Sequence, residues 1–143
     1  PFELAVGVDD ATRQRLTGHG WRLRSSVDLS ASVPGYRDYI QQSRGEFTVA
    51  RDQYVRPKTG WFSDRTACYL AAGRPVITQD TAFGKFLPTG RGLFAFTTMD
   101  DVLAAIDAIE GDYDGHARAA QEIADEYFGA ERVVQSLLAR AGL

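Results

Sequence analysis

The fold is decided by the stretch Gly60-Trp-Phe-Ser-Asp-Arg-Thr-Ala-Cys-Tyr-Leu-Ala-Ala-Gly-Arg-Pro-Val-Ile-Thr-Gln-Asp-Thr81. Its pattern predicts a loop, a helix over residues 64–72, a tight turn at Gly73, a strand over residues 75–79 and a polar loop. The strand carries Val76 and Ile77, which suit a sheet buried on both faces. In this order a helix amino terminus and a strand carboxyl terminus converge on one cleft, which is a suitable place for a phosphate-bearing ligand.

Short apolar runs alternate with helical patterns along the rest of the chain. Further strands are predicted at residues 2–8, 21–24, 46–50 and 92–96. Helices are predicted from the Asp9-Asp10 cap through Leu16, over residues 36–42, and from Thr98 onward. Five strands separated by helices predict an α/β fold, with an open parallel Rossmann-like sheet, right-handed crossovers and helices on both faces. The helices that follow Thr98 include extra C-terminal ones, because no strand comes after them.

Composition narrows the class of protein. The 143 residues are 44% hydrophobic and 24% charged, which predicts one domain spanning residues 1–143. A net charge of -3 argues against nucleic-acid and anionic-lipid partners. Apolar runs fall short of the roughly 18 residues that span a bilayer, so no membrane span is expected. The lone Cys68 predicts a buried, apolar thiol in a cytoplasmic protein. Because the chain begins at Pro1 rather than Met, we expect a fragment of a longer protein.

The last two thirds of the chain resemble a known family. The resemblance rests on the run from Asp64 to Asp80, then Phe83 to Pro88, Gly90, Gly92-Leu-Phe-Ala-Phe, Asp100-Asp-Val-Leu-Ala-Ala-Ile and Tyr127-Phe-Gly-Ala-Glu-Arg-Val. This order of motifs is similar to the C-terminal, donor-binding half of GT-B glycosyltransferases. The subgroup it most resembles is the spore-coat-like family-1 enzymes, in which an Arg stands three residues before a helix Glu, as Arg65 stands before Cys68. The resemblance covers roughly the last two thirds of the chain.

Two features depart from that family pattern. Many retaining members carry two Glu residues eight apart that hold the sugar and the ribose, whereas this chain has Gly60 and Cys68 there. Sugar and ribose recognition must then come from other residues. The family half also opens with a strand that this chain lacks, since residues 2–8 look like its second strand. The family strand order then reduces to 2-1-3-4-5.

The resemblance implies a site for a nucleoside diphosphate-sugar. Charge that grows on the leaving diphosphate needs cations, backbone N–H groups or a helix dipole, and the loop and helix start around Arg65 supply all three. The candidate donor-binding residues are Arg65, Asp80, Thr81, Ser63, Arg56, Lys58, Gln79 and Lys85. Ser63 is also the predicted helix N-cap, with Asp64 favourable to the dipole. Catalytic residues remain unassigned.

Each of these residues also has a purely structural interpretation. Arg65 is nearly as well explained by pairing with Asp64, Asp80 or a surface carboxylate, and charged loop residues are usually solvated. Asp80 and Thr81 suit turn chemistry, in which their side chains bond the nearby backbone.

Aromatic residues and histidines add little to the assignment. Several aromatic residues lie on the rim, the loops at the carboxyl ends of the predicted strands. Such a side chain is expected either to stack on the nucleobase of the ligand or, more often in such domains, to belong to the core. The aromatic residues concerned are Tyr54, Trp61, Phe62, Phe83 and Phe86. His19 and His116 form no metal-ligand spacing, so neither a metal nor another cofactor is expected.

The sequence therefore predicts a donor nucleotide-sugar-binding domain of a glycosyltransferase, as a fragment of a two-domain enzyme. Transfer would need the missing N-terminal acceptor-binding domain, so the isolated chain is expected to bind a nucleotide-sugar and transfer nothing. One alternative is a phosphoacceptor receiver-like signalling domain built on Asp9-Asp10 and Asp52, with Thr78 or Thr81, although Thr97-Thr98 stand where its Lys is expected. Another is a catalytically silent Rossmann-like interaction domain.

Overall fold

The computed structural model describes residues 2–143, which form two compact units, 2–42 and 43–143. The first unit contains β1 (Glu3–Ala5), α1 (Asp10–Gly18), β2 (Arg22–Arg24), α2 (Ser26–Leu29) and α3 (Val33–Gln42). Strands β1 and β2 pair in parallel, with Leu4 opposite Leu23. The predicted cap of α1 is confirmed, since the Asp9 carboxylate accepts a hydrogen bond from Thr12 N at 2.8 Å.

The second unit holds a three-stranded parallel sheet and most of the helices. Its elements are β3 (Glu46–Thr48), α4 (Asp52–Val55), α5 (Asp64–Ala71), β4 (Val76–Gln79), a 3-10 turn (Phe83–Lys85), β5 (Leu93–Phe96), α6 (Met99–Gly111), α7 (Tyr113–Phe128) and α8 (Ala130–Arg140). The strand order is β3-β4-β5, so β4 is central. All three strands are parallel, and their carboxyl ends therefore lie at one edge of the sheet.

The core of this second unit is built around β4, as its sequence predicts. Val76 is fully buried and Ile77 is 6% exposed, which confirms a strand covered on both faces. Ile77 belongs to a cluster with Phe96 of β5 and three residues of α6. Those three are Val102, Ala105 and Ile109. The spacing of 3 and 4 residues on α6 is the apolar stripe of a helix packed on a sheet.

The turn between α5 and β4 explains why Gly73 is needed. Its φ of 66° lies in the left-handed region, which glycine enters at little cost. Gly73 N donates to Leu70 O at 2.9 Å, and Arg74 N donates to Tyr69 O at 2.9 Å. This pair of bonds is a Schellman motif, which satisfies the last carbonyls of α5. The predicted helix end is confirmed, and it directs the chain at once into β4.

The α/β class with parallel strands is confirmed, but the prediction of a single five-stranded sheet ordered 2-1-3-4-5 is wrong. Within residues 2–143, β1 pairs with β2 and the three later strands form a separate sheet. Strand β1 is only Glu3-Leu4-Ala5, with a half-buried Leu4 between two exposed residues. A strand inside a parallel sheet needs apolar side chains on both faces, and β1 does not supply them.

The prediction that Cys68 is buried is also wrong, since the thiol is exposed. The buried residues of α5 are Thr66, Tyr69 and Leu70. These positions are three and four residues apart and lie on one face of the helix. Cys68 lies on the opposite side.

Across residues 2–143, no helix combines the length and the apolar character that crossing a bilayer requires. The assignment of residues 1–143 to one domain of a longer enzyme stays a prediction.

Candidate functional site

The carboxyl end of β4 continues directly into the predicted ligand loop. Asp80 N donates to Phe96 O at 2.9 Å, so pairing with β5 extends one residue beyond β4. The Gln79 side chain is partly buried and bonded to the backbone. Its Oε1 accepts a hydrogen bond from Ala50 N at 3.2 Å, which ties β4 to the loop after β3. Gln79 therefore has a structural role whether or not it meets a ligand.

Asp80 accepts three hydrogen bonds at the carboxyl end of β4. Lys58 Nζ donates to Asp80 Oδ2 at 2.7 Å and to the Asp80 carbonyl oxygen at 3.2 Å. The other carboxylate oxygen, Oδ1, accepts from Ala82 N at 2.7 Å. The hydrogen bond from Lys58 is the main cause of a lowered pKa of Asp80; the Ala82 N–H and the charges of Lys58 and Lys85 act in the same direction, and burial opposes them. Asp80 is thus held as a carboxylate that fixes two loops.

Backbone strain is concentrated at the residues that contact Asp80. Lys58 has a φ of 52° and Ala82 a φ of 73°, and within residues 2–143 they are the two non-glycine residues with positive φ. Such conformations cost about 1–2 kcal/mol each for residues with a Cβ. Gly60, with a φ of 77°, lies in the same loop as Lys58. Strain of this kind is often retained at ligand sites, so these two residues mark this edge as the candidate site.

Thr81 is buried beneath the same loops. It is 1% exposed, and its hydroxyl donates to Trp61 O at 2.6 Å. Gly60 N donates to Thr81 O at 2.7 Å. Thr81 therefore joins the loop before α5 to the loop after β4. Its predicted contact with a ligand stays a prediction.

Arg65 pairs with a carboxylate that the sequence interpretation did not assign to it. Its Nε donates to Glu46 Oε1 at 2.6 Å and its Nη2 to Thr48 Oγ1 at 2.7 Å. Glu46 and Thr48 are two residues apart on β3, so they lie on the same face of the strand. The expected alternatives, Asp64 and Asp80, are not the guanidinium partners in these two bonds. Arg65 ties the first turn of α5 to the edge strand, and its predicted contact with a donor stays a prediction.

The start of α5 differs from the predicted cap. Ser63 is the N-cap residue, as predicted, but its side chain makes no capping hydrogen bond. The Asp64 carboxylate instead accepts from Arg65 N at 2.8 Å, and Ser63 Oγ approaches Asp64 Oδ1 at 3.5 Å. Because Asp64 satisfies an N–H group of the first turn, it takes the place that the Ser63 hydroxyl would fill.

Arg56 and Lys85 lie at the surface of this region. Arg56 Nε lies 3.5 Å from Asp52 Oδ2, and both side chains are largely exposed. Lys85 ends the 3-10 turn after Asp80 and is exposed. Asp52, the candidate phosphoacceptor of the signalling alternative, begins α4 and forms this pair with Arg56.

The aromatic residues of the rim divide into two groups. Tyr54 and Trp61 stack on each other, with ring centroids 4.7 Å apart and planes 5° apart. The ring centroid of Phe62 lies 5.4 Å from that of Phe83 and 5.5 Å from that of Phe128 in α7. The core interpretation holds for Phe83, which is 1% exposed, whereas Phe86 is 70% exposed.

Sequence reasoning missed Glu46, Thr48 and the buried role of His116. His116 Nδ1 accepts a hydrogen bond from Gly92 N at 3.1 Å, which joins α7 to the start of β5. The polar helix pattern around position 116 gave no sign of burial. The alternation of Glu46 and Thr48 on a strand was the available signal for a polar face, but its partner lies 19 residues later in the chain.

Within residues 2–143, no three or more His, Cys, Asp or Glu side chains are grouped so that they could hold a metal ion. The expectation that the protein uses no metal or other cofactor stays a prediction. Comparisons of the chain with family models, curated proteins and solved structures found no match.

Proposed function

We propose that residues 43–143 contain the donor site of a glycosyltransferase, at the carboxyl ends of β3 and β4. The observation that carries the proposal is the contact between Lys58 and Asp80. Lys58 itself has a strained backbone, and so has Ala82, two residues after Asp80. It lies where open α/β sheets bind their ligands, beyond the carboxyl ends of the strands. The resemblance to GT-B glycosyltransferases gives the class of ligand, a nucleoside diphosphate-sugar.

Lys58 is the cation that best suits a diphosphate. An ammonium group has three N–H donors, and the two contacts with Asp80 use two of them. The Lys58 side chain is 44% exposed, so the third donor is available to a phosphate oxygen from solvent. Asp80 orients the ammonium group and reduces its net charge, which fits a site that must also release its product.

The remaining candidate residues take supporting roles in this proposal. Arg65 lies at the first turn of α5 and adds a second cation, and Arg56 and Lys85 add exposed positive charge nearby in sequence. Gln79 and Thr81 hold the loops that carry the charged groups, and Ser63 precedes the first turn of α5. Sugar transfer itself belongs to a longer, cytoplasmic, two-domain enzyme of Rossmann-like halves, whose N-terminal domain binds the acceptor. We therefore expect the chain by itself to bind donor and to transfer no sugar.

Thermal shift with a panel of nucleoside diphosphates tests the proposal. We expect at least one of the uridine, adenosine, guanosine, cytidine and thymidine diphosphates to raise the unfolding temperature of the chain. Lys58→Met should abolish most of that shift, and Arg65→Ala should reduce it. Arg91→Met is the matched control, because Arg91 is an exposed cation that precedes β5 at the opposite end of the sheet. A panel without any shift, or a shift that Lys58→Met and Arg91→Met reduce equally, would contradict the proposal.

A further inference from the structure

A groove lies beside the amino end of β5, at the opposite end of the sheet from the proposed donor site. The loop that precedes β5 forms one wall with Pro88 and Arg91, and α7 forms the other with Glu122, Ile123 and Glu126. Glu122 and Ile123 lie one helical turn before Glu126, so the three share one face of α7. Ile123 is buried and both glutamates are exposed, which gives the groove an apolar floor and an acidic rim.

The two walls are fixed to each other by the residue that follows Arg91. Gly92 N donates to Nδ1 of His116 in α7 at 3.1 Å, and this hydrogen bond is buried. Gly92 also packs so closely on α7 that a Cβ there would lie 2.5 Å from Ala120 N. The backbone that carries Arg91 is therefore anchored to the same helix that carries the two glutamates. A groove with such preformed walls loses less conformational entropy when a ligand binds.

The groove holds charges of both signs that do not pair with each other. Within residues 2–143, the side chains of Arg91, Glu122 and Glu126 make no hydrogen bond or ion pair. The guanidinium group of Arg91 is thus available to a carboxylate, which it can bind through two parallel N–H groups. The two glutamates are like charges four residues apart, so a cation bound between them relieves their repulsion.

We propose that this groove binds a small zwitterion, an α-amino acid with an aliphatic side chain. Arg91 binds the carboxylate, Glu122 and Glu126 accept hydrogen bonds from the ammonium group, and the side chain packs on Ile123 and Pro88. A zwitterion is the class of ligand that satisfies both signs of charge at once, whereas the two carboxylates repel a diphosphate. The inference is independent of the proposed donor site, because the two share no residue.

The test titrates L-leucine into the chain while backbone amide NMR signals are recorded. A ligand this small binds in about the millimolar range, because its few atoms supply little binding free energy. We expect saturable shifts at Arg91, Glu122 and Ile123. Isoamylamine lacks the carboxylate of leucine and 4-methylpentanoate lacks its ammonium group, so each should bind about fivefold more weakly than leucine. Absence of saturable shifts with leucine at these residues overturns the inference, and so does equal binding of the three compounds.

Two variants assign the two charges of the ligand to opposite walls. Arg91→Met should weaken binding of leucine and of 4-methylpentanoate about fivefold and leave isoamylamine unchanged. Glu122→Gln should weaken leucine and isoamylamine and leave 4-methylpentanoate no weaker. A change in the fold alone would not separate the two analogues in this crossed way.

Glu131→Gln is the matched control for Glu122→Gln. Glu131 is an exposed carboxylate in the first turn of α8 and does not line the groove. We expect its replacement to leave the dissociation constants of all three compounds unaltered. If Glu131→Gln weakens leucine as much as Glu122→Gln does, or if Arg91→Met leaves leucine binding unchanged, the inference is overturned.

Discussion

Residues 2–42 and residues 43–143 both alternate strands with helices, yet they bury very different amounts of apolar side chain. Ile40 is the one buried residue in 2–42, and the middle residues of β1 and β2 are only half-buried. In 43–143, β4 buries three residues in succession. Alternation of strands and helices therefore does not by itself make a central strand. Apolar side chains on both faces do, and Val76-Ile77 has them where Glu3-Leu4-Ala5 does not.

The largest effect is expected at Gly92, which lies just before β5 and packs closely against the backbone of α7. Gly92 has a φ of 74°, and a Cβ there would lie 2.5 Å from Ala120 N and 2.8 Å from Ala119 C. Gly92→Ala should destabilise residues 43–143 by about 4 kcal/mol, because left-handed strain and a backbone clash add together. Urea unfolding followed by tryptophan fluorescence and circular dichroism measures the loss.

Two other glycines with positive φ serve as controls for Gly92→Ala. Gly90 in the second region and Gly20 in the first have φ values of 96° and 84°, and a Cβ at either meets nothing within 4 Å. Each change to Ala should cost about 1 kcal/mol, from backbone strain alone. If Gly92→Ala costs no more than these two, the close packing of α7 on the start of β5 is not a major source of stability.

The contrast in burial between the two regions is tested by one leucine from each. Leu70 of α5 is fully buried and Leu4 of β1 is half-buried. Leu70→Ala should cost about 3 kcal/mol, since it leaves a cavity in the core. Leu4→Ala should cost about 1 kcal/mol. Amide hydrogen exchange should agree, with slower exchange in β4 than in β1. Similar losses for the two variants, or equal exchange rates, would remove the distinction between the regions.

A smaller effect of opposite sign is expected at the strained edge of β4. Ala82→Gly should stabilise the protein by about 0.5 kcal/mol, because relief of the left-handed strain exceeds the added entropy of the unfolded chain. Ala67→Gly, inside α5, should instead cost about 1 kcal/mol. Thermal unfolding of both variants measures the two signs. A destabilised Ala82→Gly variant would mean that this edge stores no strain.

The smallest effect is expected at two capping carboxylates, one in each region. It should depend on pH. Thr97 N and Thr98 N donate to Asp101 Oδ2 at 2.9 and 2.8 Å, and the Thr97 hydroxyl adds a third bond. These bonds lower the pKa of Asp101 from 3.8 to about 2. Since the folded-state pKa is depressed, the stabilisation is present above pH 3.8 and is lost as the pH falls toward 2.

Asp101→Asn should therefore be less stable than the parent near neutral pH, and the difference should shrink as the pH falls through this range. Asp9→Asn is the counterpart in the first region, where the hydrogen bond from Thr12 N lowers the pKa of Asp9. Asp9 accepts from fewer donors, so we expect a weaker pH dependence. Chemical unfolding at several pH values checks both variants, and a pH-independent difference for Asp101→Asn would contradict the linkage.

Local rules predicted the parts of the fold that depend on neighbouring residues. Val76-Ile77 indicated a buried strand, Gly73 a left-handed helix end, and Asp9 a helix cap, and the structure bears out all three. The four-residue helices α2 and α4 were missed, because each is barely one turn long and too short to show a helical period.

Contacts between distant residues were beyond the reach of the sequence. The pairing of Arg65 with Glu46 depends on how α5 lies over β3, which a single sequence does not reveal. Asp64 replaced Ser63 as the side chain that satisfies the helix start, and both residue types are good caps, so propensity did not distinguish them. The turn bond predicted for Asp80 is confirmed, since its Oδ1 accepts from Ala82 N two residues later, but the positive φ of Ala82 was not foreseen because alanine itself does not signal it.

The central claim is that the carboxyl edge of β4 binds a diphosphate-bearing nucleotide. Its most direct test is the change in backbone amide NMR signals of the chain as the nucleoside diphosphate selected by thermal shift is added. We expect saturable shifts at Lys58, Gly60, Asp80 and Ala82. Shifts confined instead to the groove beside the amino end of β5, which Arg91, Glu122 and Glu126 help to line, would contradict the claim, as would the absence of any saturable shift.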